Sequence, residues 1–165
     1  KSQRALCNRV ERTGSVTLRP YTAADQPACR DLFRRWTSQK REGMLDTMGR
    51  YLLEDAEAAH ELVWALGDRL GLVGTVACAE DQVVGYTFGY RLTPETIAVL
   101  VEVADRSVPG LAQYLFRETC RAARRGGAEY INAMDDAGLP GLRAAKQAYH
   151  PVATIKSWIA SPLQP

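Results

Sequence analysis

The residues best placed to do chemistry lie close together between positions 129 and 151. Glu129-Tyr130-Ile131 reads as a short apolar strand that runs directly into Asn132, Asp135 and Asp136. Gly138, Pro140 and Gly141 then open a helix carrying Arg143 and Lys146, which are three residues apart and so share one face. One strand-to-helix junction therefore gathers two carboxylates, an amide and two cations. Junctions at the carboxyl ends of strands are where α/β proteins place binding and chemistry. Such a set can orient a charged substrate and neutralise a phosphate, a carboxylate or the oxyanion of an acyl transfer. A plainer reading makes Asp136 a helix cap in a surface ion pair. Asn132, at the strand end, can bind a carbonyl or cap the same helix.

The hydrophobic pattern says which elements must hold this junction. Residues 2–12 are basic and read as a short helix or arm, broken by Thr13-Gly14-Ser15. Residues 1–14 thus form a connector, and 15–165 the domain proper. Val16–Arg19 is a strand ended by Pro20, and Thr22 to Asp25 offers a cap for a helix over about 24–37, with Cys29, Leu32, Phe33 and Trp36 as its buried stripe. A polar link over 38–46 leads to a second helix near 48–66. The period then changes from 3.6 to 2. Gly71–Ala79 and Val83–Arg91 form a hairpin around Glu80-Asp81-Gln82, and Thr96–Val103 is a third strand. A helix opened by Val108-Pro109-Gly110 runs to about Arg125, where Gly126-Gly127 stops it. A strand at 129–133, a helix at 138–148 and a last strand near 152–159 complete the order. The expected fold is mixed α/β: an antiparallel meander, then a parallel strand-helix-strand unit, with helices on both faces.

Composition narrows the function. The chain has 165 residues, 46% hydrophobic and 24% charged, which suits one globular domain with a normal core. A formal charge of +2 gives no general affinity for nucleic acid. Cys7, Cys29, Cys78 and Cys120 lack metal-ligand or redox-motif spacing and read as free thiols in a reducing, cytoplasmic setting. With His60 and His150 isolated, no metal site is expected. No apolar run is long enough to span a membrane. Trp36, Trp64 and Trp158 show no stacking pattern and are expected in core or rim packing.

The element order, with Leu18-Arg19-Pro20-Tyr21-Thr22-Ala23-Ala24-Asp25 at its front, resembles the GNAT superfamily of acyltransferases. Within it, Arg4–Arg12, Gly85–Gly89, Val101–Asp105, Gly110–Gln113 and Asn132 through Pro151 resemble the phosphatidylglycerol lysyltransferase C-terminal domain. The most specific piece is Asp136-x-Gly138-x-x-Gly141-Leu142-Arg143-x-x-Lys146-x-x-Tyr149-x-Pro151. Members of that family usually carry two GNAT-like units in tandem, and this chain resembles the second. The resemblance therefore implies a possible upstream unit.

The resemblance also implies a site. In the GNAT fold two parallel strands splay apart, the acyl donor enters the gap, and a glycine-containing helix start offers N–H groups to the pyrophosphate of coenzyme A. Here that start reads Ser107-Val108-Pro109-Gly110-Leu111-Ala112, which makes Ser107, Gly110, Leu111 and Ala112 the cofactor-contacting candidates. Ser107 stands where Gln or Arg is usual, and Pro109 withdraws one donor, although Pro is also simply a good helix starter. Ala144 stands where acetyltransferases keep the tyrosine that reprotonates the thiolate. Tyr149 falls at a core aromatic position, with substrate contact as its other reading. Glu102 is the candidate base, or a solvent-facing strand residue. Asp136 and Lys146 complete the catalytic candidates, and Asn132, Asp135, Arg143 and Tyr149 the substrate-binding ones. Arg117, Arg121 and Arg124 share a helix face that tracks tRNA phosphates or is merely solvated.

Three functions follow. The first is aminoacyl transfer from aminoacyl-tRNA to an amine or hydroxyl of a lipid or small molecule. The second is acetyl-CoA-dependent N-acetylation. The third is a non-catalytic interaction half of a tandem protein. No tightly bound cofactor is expected, and the acyl donor of the two transferase readings is either aminoacyl-tRNA or acyl-CoA.

Overall fold

The structure is a computed structural model that describes residues 2–43, 47–156 and 158. It divides into two compact parts, residues 1–134 and 135–165.

The first part is built on a five-stranded sheet in the order β1-β2-β3-β4-β5. Its strands are β1 (Thr17–Pro20), β2 (Val73–Ala79), β3 (Gln82–Thr93), β4 (Thr96–Ala104) and β5 (Tyr130–Asn132). β1 to β4 pair antiparallel and β4 pairs β5 in parallel, with β2, β3 and β4 forming the meander that the element order predicts. Glu80 and Asp81 turn the β2–β3 hairpin in the left-handed region, with φ of 49° and 64°.

Two cores sandwich this sheet. On one face α2 (Gln26–Glu42) and α3 (Thr47–Leu66) lay Cys29, Leu32, Phe33 and Val63 over Val76, Cys78, Tyr86, Phe88 and Val103. On the other, α1 (Gln3–Thr13) and α4 (Leu111–Arg125) bring Val10, Leu111 and Leu115 onto Val16 and Ala77. The basic arm is thus a capped helix docked on the sheet: the Ser2 hydroxyl accepts from the Ala5 N–H, and Gly14 closes the helix at φ 58°. Its buried Cys7 and Val10 are three residues apart, the spacing of one helical face.

The polar link placed at 38–46 is helical as far as Glu42. Lys40 lies 5.2 Å over the Trp36 ring and Arg41 reaches Glu57 at 2.6 Å, so these polar residues find partners along the helix. Residues 44–46 lie outside the described ones.

The second part holds α5 (Pro140–Gln147), begun by Pro140 and without a buried residue. The last strand predicted near 152–159 does not form over residues 152–156 or at Trp158; the remaining positions lie outside the described residues. Val152, Ile155 and Trp158 are all more than 80% exposed and join no ladder. Strand propensity without a partner for the backbone groups is not enough. Trp158 therefore leaves the core and rim role expected of it, whereas Trp36 and Trp64 pack around Phe33.

One polar contact inside the first part is well defined. Buried Asp25 receives Arg19 through Nη1 at 2.7 Å and Nη2 at 2.5 Å, and accepts from the Thr22 N–H at 2.8 Å. The pair ties β1 to the turn that starts α2. Arg19 and the Thr22 donors hold the Asp25 carboxyl well below the usual carboxylate range. Its stabilisation is complete above the unfolded value of about 4 and drains as pH falls below that. Asp25→Asn is expected to lower the thermal midpoint at pH 7 and to flatten its fall between about pH 4 and pH 2. Parallel acid limbs for variant and parent in a pH series of melts would contradict this.

Candidate functional site

The sheet opens where β4 and β5 part. Their parallel ladder has three rungs: Thr96 with Tyr130, Ile97 with Ile131 and Ala98 with Asn132. β5 ends at Asn132, while β4 continues to Ala104 with β3 alone beside it. The outward backbone groups of Val99 to Ala104 thus have no strand partner among the described residues. An N–H or C=O on such an edge needs water or a ligand. Asn132 sits at the point of parting, and its Oδ1 accepts from the Met134 N–H at 2.8 Å, forming an Asx turn.

β4 leads into the loop before α4. Gly110, Leu111 and Ala112 line an open recess of about 250 Å³ there, together with Asp105, Arg106 and Val108. No side chain caps α4 at this end. Pro109 precedes the capping residue Gly110 and so stands outside the first turn of α4, in the loop before it, where it offers no N–H. Two other donors are already used: Ser107 N–H goes to Asp105 Oδ1 at 2.8 Å, and Leu111 N–H to Val108 O at 3.2 Å. Gly110 has φ 94°, and a Cβ there would sit 2.6 Å from the Leu6 carbonyl oxygen. Helix α1 therefore rests directly on the glycine turn, a crowding that no local motif announces.

Glu102 lies on the unpaired length of β4, opposite Thr87 of β3. The residue is half-buried, but its Oε2 is buried without a hydrogen-bond partner. Burial raises its carboxyl to about 8. Burial also pushes the Cys120 thiol of α4 up to about 11, with Glu102 adding to the shift. Neither Thr87 nor Cys120 was visible as a neighbour in the sequence, because strand register and helix docking bring them there.

The arginine stripe of α4 is occupied. Arg117 pairs with Glu11 of α1 at 3.1 Å and with Glu118 at 2.9 Å, and Arg121 pairs with Glu118 at 2.8 Å. Glu11 of α1 and Glu118 of α4 thus engage two of the three cations that the tRNA reading needed.

In the second part the predicted cluster assembles. Arg143 Nε donates to Asp136 Oδ2 at 2.6 Å, and Gly138 N–H to Asp136 Oδ1 at 2.9 Å. Lys146 Nζ donates to the Asp135 carbonyl oxygen, and Asp135 Oδ1 accepts from the Ala137 N–H at 3.2 Å. Ala137 and Gly138 adopt positive φ, folding the acidic loop back toward α5. Arg143 lowers the Asp136 carboxyl, while burial lowers the Lys146 ammonium against the pull of Asp135 and Asp136. Tyr149 is 38% exposed and not the core aromatic expected. Asp136, Arg143, Lys146 and Asp135 thus meet one another; Asn132, Glu102 and the α4 start belong to the first part.

Among the described residues no group of His, Cys, Asp or Glu could hold a metal ion, and no helix is long and apolar enough to cross a membrane.

The sequence profile of the phosphatidylglycerol lysyltransferase C-terminal domain matches residues 1–161. No curated protein matches the sequence. A conserved protein of unknown function from Bacteroides thetaiotaomicron is 29% identical, with a TM-score of 0.77 over 92% of this chain and 49% of its own. The C-terminal domain of a putative lysylphosphatidylglycerol synthetase from Agrobacterium fabrum superposes at TM-score 0.56 with 14% identity, over 90% of this chain and 50% of its own. A possible acetyltransferase from Clostridium difficile superposes at 0.64 with 12% identity, over 91% and 99%. The fold is therefore GNAT-like, and the chain spans about half the length of the first of these relatives.

Glu102 gives a direct test of the site's electrostatics. A carboxyl raised by folding contributes fully below the unfolded value near 4.3, and stability is lost as pH rises toward 8. Glu102→Gln is therefore expected to melt about 5 °C higher than the parent at pH 8, with the gap closing by about pH 4. A variant that melts lower at pH 8 would show that Glu102 is paired in solution.

Proposed function

The chain belongs to the phosphatidylglycerol lysyltransferase C-terminal family, and on that premise we propose that it takes part in aminoacyl transfer from an aminoacyl-tRNA ester to a hydroxyl or amine of a lipid-like acceptor. The observation that carries this reading is the three-rung ladder of β4 and β5, which leaves the rest of β4 open to an acyl group. Exposed strand amides there can bind the ester carbonyl and the oxyanion that forms on it.

The residues supply the remaining steps. The acceptor oxygen or nitrogen attacks the ester carbonyl and gives up its proton, and the ribose hydroxyl leaves and takes one. Glu102 titrates at about 8 and so can accept a proton near neutrality. In the second part, taken by itself, the Asp135 carbonyl steadies Lys146 and Asp136 holds Arg143, so that these cations can meet an anionic group such as a phosphate or carboxylate. Glycyl freedom at the α4 start still favours an anion, as in the acetyl-CoA reading. Three features weigh against coenzyme A: Asp105 occupies the Ser107 N–H, Leu6 crowds Gly110, and Ala144 replaces the usual acid.

Lys146→Ala is expected to slow transfer of radiolabelled lysine from lysyl-tRNA to phosphatidylglycerol by about a hundredfold, a loss of roughly 3 kcal/mol of charge stabilisation. Equal rates for parent and variant would remove Lys146 from the chemistry. Calorimetry with acetyl-CoA should give no micromolar binding; binding at that strength, abolished by Gly110→Ala, would replace this reading with acetylation.

A further inference from the structure

Along its length α3 buries Gly49, Leu53, His60 and Val63. Two ion pairs join it to α2: Glu57 with Arg41 at 2.6 Å and Glu61 with Arg30 at 2.5 Å. Both are partly exposed, and such pairs add little stability. The helix therefore leans on a few buried side chains, of which His60 alone is titratable.

His60 is 5% exposed. Its ring stacks on Phe33 of α2 with centroids 3.8 Å apart. It also meets the Tyr86 ring of β3 edge to face at 5.9 Å, and the Trp64 ring at 5.5 Å. One side chain thus joins α3 to both α2 and β3. The Ala56 carbonyl oxygen lies 2.7 Å from its Nδ1. A carbonyl only accepts, so Nδ1 carries the proton and Nε2 of the neutral ring is a bare acceptor. Nε2 is buried and, among the described residues, has no hydrogen-bond partner.

A proton at Nε2 would make the ring a cation with a second N–H to satisfy. Its surroundings do not compensate. Glu57 and Glu61 of α3 are engaged by arginines of α2. Arg30, the partner of Glu61, lies 4.4 Å over the Trp64 ring and brings positive charge to that side. The same core holds the Cys29 thiol of α2, the Cys78 thiol of β2 and the Tyr86 hydroxyl of β3. Burial pushes Cys29 up to about 12 and raises Tyr86 as well, so neither offers negative charge at or below neutrality. Burial likewise disfavours the charged form of His60, by more than the attraction of Glu61 favours it. Seating of α3 is therefore complete above the unfolded histidine value of about 6.5, and is lost as pH falls through the lower folded one.

We infer that His60 is an acid-sensitive latch, holding α3 against α2 and β3 while its ring is neutral and freeing that helix when Nε2 takes up a proton. The release is local. The ladders of β1 to β4 do not involve α3, and α2 keeps Cys29, Leu32 and Phe33 on the sheet. Once freed, α3 uncovers the Phe33 and Tyr86 rings, so uptake of a proton becomes an exposed aromatic surface on the face of the sheet opposite α1 and α4.

The test is amide hydrogen exchange of the chain at about pH 7 and about pH 5, read by mass spectrometry and corrected for intrinsic rates; the lower value stays above the range of free carboxylates. Residues 51–64 are expected to exchange about tenfold faster at the lower pH, with β3 and β4 unchanged. His60→Phe keeps a ring against Phe33 that cannot be protonated, and its α3 should exchange alike at both pH values. Equal protection of the parent α3 at both overturns the latch. So does acid loosening that His60→Phe retains, which would belong to the ion pairs between α2 and α3. Loosening that spreads through β3 and β4 overturns it in favour of acid unfolding of the whole first part. Should His60→Phe fail to fold, the parent ring decides. His150→Gln leaves His60 as the single histidine, and its ring 15N shifts report Nε2 directly. Protonation of Nε2 in step with loss of α3 protection upholds the latch; a proton at Nε2 with α3 still protected overturns it.

Discussion

A strand hydrogen-bonded along only one side leaves a row of donors and acceptors that folding cannot satisfy internally. β4 is that strand. It is central enough to be buried on both faces, yet β5 leaves it after three rungs. Those open backbone groups are what the proposed function draws on, since a ligand carbonyl would offer them a partner. The rest of the first part holds the strand in place: the long β3 ladder on one side and a helix layer on each face.

The same economy shows at the start of α4. The glycine turn there is tight against the backbone of α1, and two arginines of α4 are tied to acids, one of them Glu11 on α1. α1 is therefore part of the architecture around the α4 start. Its presence narrows the space for a pyrophosphate and neutralises a basic stripe that would otherwise attract polyanions. Fold likeness to acetyltransferases does not by itself carry their donor across, since a donor is read by side chains and helix ends rather than by the fold.

Charge placement separates structural from available cations. Arg19 is committed to a buried carboxylate, and Arg30, Arg41, Arg117 and Arg121 each hold an acid. Exposed pairs of this kind add little stability.

Much of this was legible in the order of residues. The change of hydrophobic period marked the meander, the glycines and prolines marked the helix ends, and the spacing of Asp136, Arg143 and Lys146 put them in reach of one another, because helix geometry is local and repeats every few residues. The strand expected near 152–159 does not form at the described positions there, because propensity is a property of a segment, whereas a strand exists only through its neighbour. The register of Glu102 opposite Thr87 and the contact of Leu6 with Gly110 were closed to sequence reasoning for a related reason. Each joins residues that are well separated in the chain, and nothing local to either side specifies the register or docking angle that brings them together. The sequence determined which elements form and which chemical groups they carry; tertiary packing decided which groups are buried, which are neutralised and which are left facing a ligand.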